Sequence, residues 1–259
     1  MRLSANLGFL WNDLPLPEAV RAAAAAGFDA VECHWPYDTP VDALREALGE
    51  TGLPLLSLNT ARGGAGEFGL SALPGRAAEA RRAIDQAIAY ADAAGADMVH
   101  VLAGLAKGTE ARAAFVENLR YACDGAAGAG LTILIEPLNS RDAPGYFLST
   151  TGQAADLIAA VGRSNLKLMF DCYHVQIMEG DLTRRMADLL PLIGHVQIAG
   201  VPDRGPPDRG EVHYPHIVAE LHRMGYTGGI GAEYRPGTDP ARTLQWMAGL
   251  RAAATFSGS

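Results

Sequence analysis

Four polar residues each close a short apolar run: Glu136 after LTILI, Asp171 after LKLMF, Gln197 in IGHVQ and Glu233 after GGIGA. A carboxylate at the tip of a buried run is costly unless something answers its charge. Three carboxylates brought to one place repel, and each resists ionisation. A divalent cation removes that conflict. Three carboxylates and one amide oxygen make an all-oxygen, hard site, which favours Mg2+ or Mn2+ over Zn2+. The bland alternative is that each residue merely caps a strand end at the solvent boundary. Independent capping, however, does not predict the same position on four consecutive runs.

Those runs belong to a larger alternation. Strand-like stretches are expected near 2–7, 28–33, 54–59, 97–102, 131–136, 166–171, 195–199 and 228–233. Helical patterns lie between them, clearest at LPEAVRAAAAAG, TPVDALREALGETG, GRAAEARRAIDQAIAYADAAG and GTEARAAFVENLRYACDGAAGAG. Gly27, Gly52, Gly95 and Gly130 fall where helix C-caps are expected. The stretch 174–192 is helical but less regular, and 200–212 is a polar Pro/Gly-rich loop. Eight such units of roughly 30 residues predict an α/β fold, a (β/α)8 TIM barrel formed as a single domain over 1–259. A doubly wound open sheet is the runner-up, disfavoured because no GxGxxG follows an early strand. In a barrel the strand C-termini meet at one rim, and strands five to eight are neighbours there, so all four polar ends reach one point.

Composition narrows the class. The chain has 259 residues, 49% apolar and 19% charged, with a net charge of −8. An acidic chain without a basic run argues against a nucleic-acid partner. Three cysteines, Cys33, Cys123 and Cys172, without CxxC spacing suit a reducing compartment and exclude a zinc ribbon. The opening MRLSANLGF reads as a first strand rather than a leader, and no run of ~18 apolar residues predicts a membrane span. A cytoplasmic protein without a membrane partner is the expectation.

The blocks SANLGFLWNDLPLPEAVRAAAAAGFDAVECHWPYD, LNTARGGAGEFGLSALPGR, VHVLAG, IEPLNSRDAPGYFLST, FDCYHVQIMEGDL, GHVQIAGVPDRGPPDRGEVHYP and GAEYRPG run through nearly the whole chain. Together they resemble the hydroxypyruvate isomerase family, within the xylose-isomerase-like barrels that also include ketose 3-epimerases and endonuclease-IV-type nucleases. The resemblance implies that Glu136, Asp171, Gln197 and Glu233 hold the metal and that Glu136 and Glu233 act as an acid/base pair. The implied reaction interconverts hydroxypyruvate and tartronate semialdehyde through an enediolate by proton transfer. A metal-assisted hydride shift stays open. The epimerases are similar but carry His where this chain has Gln197, which favours the isomerase branch. A 2-oxo-tetronate isomerase or ketose 3-epimerase would share the machinery on a longer substrate. A nuclease needs a His-rich multi-zinc site, and a binding-only barrel would not retain the four-ligand set. The resemblance also implies a homo-oligomer, dimer or tetramer, in glyoxylate or sugar-acid metabolism.

His174, three residues past Asp171, resembles a substrate-oxygen contact, and Arg204 stands where relatives carry an arginine that meets the substrate. An anionic substrate needs a cation, and a guanidinium grips a carboxylate bidentately. Arg62, Lys107 and Arg235 are rivals for that role. Glu32 ends strand two, across the barrel from the main cluster, and reads as a polar contact inside the mouth. His34, Trp35, Tyr37, Phe9 and Trp11 read as pocket walls or loop packing. His100 and His195 read as core histidines, with His195 open to a place behind the metal. Cys172 is expected to point toward the helices, and Glu211 to orient a loop or a ligand.

Overall fold

The structure, a computed structural model, describes residues 1–255. Strands β1 (Arg2–Asn6), β2 (Ala30–Glu32), β3 (Ser57–Asn59), β4 (Met98–His100), β5 (Thr132–Ile135), β6 (Leu166–Asp171), β7 (Ile193–Ile198) and β8 (Gly229–Ala232) pair in parallel in the order β2-β1-β8-β7-β6-β5-β4-β3. A parallel bridge between Val31 and Leu55 joins the two ends of that sheet, closing the expected barrel. Six of the strands are shorter than the runs that foretold them, whereas β6 matches its run and β7 starts two residues earlier. Glu136 and Glu233 lie one residue past β5 and β8, where Pro137 offers no donor and the chains diverge at the mouth.

Around the strands run α1 (Leu16–Ala25), α2 (Val41–Thr51), α3 (Ala77–Ala94), α4 (Gly108–Ala126), α5 (Thr151–Val161), α6 (Cys172–Met178), α7 (Leu182–Leu189), α8 (Tyr214–Arg223) and α9 (Trp246–Thr255). The irregular stretch after β6 resolves into α6 and α7. Gly52 and Gly95 end α2 and α3 in the left-handed conformation, as the pattern required. Most of the core lies between sheet and helices, from Leu3 and Phe115 to Phe170 and Leu250. A separate cluster of Ala30, Leu56, Met98, Leu134 and Met169 plugs the lumen. Leu134 and Met169 stand two residues before Glu136 and Asp171. The period of two along a strand therefore sets an apolar floor beneath a polar rim.

The segment after β3 folds back on the end of β4 through an antiparallel bridge between Gly69 and Ala103. Gly69 has φ +113, and a Cβ there would lie 2.5 Å from the Leu102 carbonyl oxygen. Gly69→Ala is expected to cost about 1–3 kcal/mol. The urea midpoint checks this, and an unchanged midpoint would refute the strain.

Candidate active site

Each rim residue is held by a different local device. Asp171 ends β6 and caps α6: its Oδ1 accepts from the Tyr173 N–H at 2.8 Å, while Oδ2 faces inward. Glu233 accepts at Oε1 from Asn6 Nδ2 (3.0 Å) and His34 Nε2 (2.9 Å), and at Oε2 from Arg204 at 2.5 Å. Glu136 follows β5 and is 5% exposed. Glu136 Oε1, Asp171 Oδ2 and Gln197 Oε1 are buried acceptors without a hydrogen-bond partner among the described residues. Such orphans are rare unless a ligand or ion completes them. Three inward oxygens, two from carboxylates and one from an amide, beside the third carboxylate, Glu233, suit a hard divalent cation, so these residues fit one.

Electrostatics tell the same story. Burial first, then the Glu233 and Asp171 charges, push the Glu136 carboxyl well above the usual range. Burial lifts Asp171 to about 7, against the pull of Arg204. Burial would raise Glu233 too, but the Arg204 guanidinium and His34 hold it well below its ordinary value.

His174 lies with Glu136 and Asp171 in a buried group whose ligating atoms all fall within 4.8 Å of one another. Its Nδ1 accepts the Asn139 backbone N–H at 2.9 Å. Burial keeps the ring neutral, with a pKa lowered to about 3. A neutral imidazole whose Nδ1 accepts carries its proton on Nε2. Nε2 lies 3.6 Å from Asp171 Oδ2 and 3.8 Å from Glu136 Oε1. The His174 edge offered to the site is thus a donor, suited to a substrate oxygen, and ligation is left to oxygen atoms. His100, likewise kept neutral by burial, stands 3.6 Å from Glu136.

A cavity of about 350 Å³ opens above this rim, lined by Phe9, His34, Trp35, Arg62, His100, Glu136, His174, Arg204, Glu233 and Arg235 among others. Its cations differ in availability. Arg204, with φ +53, is buried between the Phe9 and Tyr173 rings and engaged by Glu233. The Arg62 guanidinium stacks on Phe68 (4.3 Å) and Trp35 (5.1 Å) at the wall. Arg235 is exposed at the rim. Lys107 is not brought to the cavity: past β4 the chain is tied by the Leu105–Tyr146 bridge, which leaves Lys107 exposed just ahead of α4. Trp11, Tyr37 and Glu211 also lie outside its lining, and Gln176 binds Glu211 at the surface. Cys172 is buried in the packing between sheet and helices, its thiol pushed far up by burial.

Glu32 makes polar contacts inside the mouth, as expected, and they reach the main cluster across the barrel. Its side chain crosses the lumen, accepting at Oε1 from Gln197 Nε2 (2.8 Å) and Asn6 Nδ2 (3.1 Å), with Oε2 2.5 Å from His195 Nε2. β2 stands three strands from β7, but a long side chain spans a narrow lumen. His195 is therefore linked through Glu32 to Gln197 rather than packed in apolar core. Asn6 went unnoticed in the sequence. It ends β1 as Asp171 ends β6, and that shared position was the available signal.

A sequence model of the family described as xylose isomerase-like TIM barrel matches residues 20–252. A protein of Cupriavidus necator named 2-oxo-tetronate isomerase is 44% identical, covering 95% of this chain and 97% of that one. A protein of Escherichia coli named hydroxypyruvate isomerase is 38% identical over 95% and 98% of the two chains. Among solved structures, one described as AP endonuclease, family 2, from Brucella melitensis superposes with a TM-score of 0.92 at 40% identity, covering 96% of this chain and 98% of that one.

Proposed function

This chain belongs to the xylose isomerase-like TIM barrel family, and we propose that it is a divalent-metal-dependent isomerase of a small hydroxy-oxo acid, with hydroxypyruvate and tartronate semialdehyde as the interconverted pair. The observation that carries this reading is the trio of unpartnered inward oxygens on Glu136, Asp171 and Gln197. With Glu233 these residues would hold Mg2+ or Mn2+. Bound there, the cation would supply Lewis-acid chemistry that lowers the cost of the enediolate charge.

Moving a proton between adjacent carbons takes a base and an acid. Glu136 and Glu233 are a pair whose surroundings push their proton affinities apart, the pattern expected of two carboxylates with divided roles. Glu233, kept ionised by Arg204, takes the proton from the hydroxymethyl carbon of hydroxypyruvate. Glu136 returns one to the neighbouring carbon, and the hydroxyl proton passes to the former carbonyl oxygen, so that the aldehyde and the new hydroxyl form together. His174 Nε2 donates to a substrate oxygen, and Arg62 or Arg235 meets the substrate carboxylate, since Arg204 is occupied by Glu233.

A second reading has a specific observation behind it. A cavity of about 350 Å³ has room for more than a three-carbon acid, which suits the 2-oxo-tetronate or ketose alternative. A nuclease reading finds no support in a net charge of −8 and an all-oxygen site. Among the described residues no helix is long and apolar enough to cross a membrane. The test is turnover by EDTA-stripped protein with Mg2+ or Mn2+ restored, on hydroxypyruvate beside tetronates and ketoses. Metal-restored turnover of hydroxypyruvate above every rival is the expected result. Turnover of only a longer acid would move the substrate, and none with any metal would overturn the proposal.

A further inference from the structure

We infer that Glu32 is a positioning residue for Gln197, holding that amide with its oxygen toward the cation; the inference rests on the metal reading above. A primary amide has two nearly isosteric ends, an acceptor oxygen and a donor NH2. A glutamine held by nothing else can present either end. Gln197 is not free. Its Nε2 donates to Glu32 Oε1 at 2.8 Å, which leaves Oε1 as the buried, unpartnered end.

Glu32 is itself held from three sides. The Gly8 N–H donates to Asn6 Oδ1 at 2.9 Å, which fixes the orientation of Asn6. Asn6 Nδ2 therefore faces both Glu32 Oε1 and Glu233 Oε1. His195 Nε2 meets Glu32 Oε2. With donors from Asn6, Gln197 and His195, Glu32 leaves neither oxygen unpartnered, unlike Glu136, Asp171 and Gln197. Its place is also carved out of the barrel wall. An added Cβ at Gly231 of β8 would lie 2.4 Å from Glu32 Oε1, so a side chain there displaces the carboxylate from where it meets Gln197. Partners that orient metal ligands in this way typically influence affinity by about 10–100-fold.

The test is Mn2+ affinity without substrate, read from the electron paramagnetic resonance signal of free Mn2+ during titration. Glu32→Ala is expected to raise Kd about 10–100-fold. Glu32→Gln loses the same charge but keeps an oxygen for Gln197 Nε2, so it should stay within about fivefold of wild type. Gly231→Ala keeps the charge and displaces the carboxylate, so it should weaken binding as Glu32→Ala does, and it carries the test if Glu32→Ala fails to fold. In a Gln197→Ala background, Glu32→Ala should change Kd by less than about twofold, because the group it positions is gone. Equal losses in Glu32→Ala and Glu32→Gln would reduce the role to charge and overturn the inference. So would an undiminished Glu32→Ala effect in the Gln197→Ala background, or wild-type affinity in folded Gly231→Ala. Wild-type binding that no variant alters overturns this inference alone. A wild type that binds no divalent cation overturns the metal reading with it.

Discussion

Glu136→Gln is expected to lower kcat/KM by at least about 10³-fold while the barrel stays folded. The size follows from two losses at one atom set. Removing a positioned acid/base group costs about 10²–10⁴-fold, and the same carboxylate is one of the proposed ligands. The fold should survive because Glu136 brings no hydrogen bond that the barrel depends on; its Oε1 has no partner. Burial and the charges of Glu233 and Asp171 already oppose its ionisation. The metal-free variant should therefore melt at or above the wild-type temperature at neutral pH, a sign opposite to that of an ordinary core substitution. Steady-state kinetics beside thermal melts measure both halves. Activity within tenfold of wild type would remove Glu136 from the chemistry. A collapse in melting temperature would instead make it structural.

Saturating Mn2+ is expected to raise the melting temperature by about 5–10 °C. Ligand at a hundredfold excess over Kd contributes about 2.7 kcal/mol, and a chain of this size gains about 2–4 °C per kcal/mol. The pH dependence has a definite sign. Burial raises Asp171 to about 7 and moves Glu136 the same way. A carboxylate raised in the folded state contributes stability that is complete below its unfolded value and lost as pH climbs through its folded value. Glu233 is shifted oppositely, and its contribution disappears only in acid, below its ordinary value. The buried neutral rings of His100 and His174 favour higher pH, but that effect is complete once unfolded imidazoles have lost their protons, above about pH 7. From about pH 7 to about pH 8 the metal-free protein should therefore lose stability, by at most about 1.4 kcal/mol per pH unit for each proton. The Mn2+ shift should widen over the same range as protons stop competing for the ligands. Melts with and without EDTA at several pH values measure this. A metal-free melting temperature that rises with pH above 7 would contradict the account.

Much of the site was legible because its signal is local. Glu136, Asp171, Gln197 and Glu233 each close an apolar run, and side chains that alternate along a strand put every second residue in the lumen. The parallel order of eight strands then places all four at one mouth. Helix ends were readable on the same footing, as Gly52 and Gly95 illustrate. Strand lengths were less so, because apolar residues extend beyond the paired ladder, as Phe28 does ahead of β2.

What the residues determined by themselves is the eightfold alternation, the polar rim and the oxygen-rich character of its side chains, since each depends on spacing within one element. The tertiary structure alone decided which rim groups meet. Glu32 and Gln197 are 165 positions apart; their pairing needs the closed lumen and the missing side chain at Gly231. Arg204 turned out to serve Glu233 rather than stand free, because a left-handed residue in the loop after β7 drives its guanidinium between Phe9 and Tyr173. Lys107, equally cationic, was carried outward by the path of its loop. Charge and residue type are properties of a position, whereas distance across a barrel is a property of its closure.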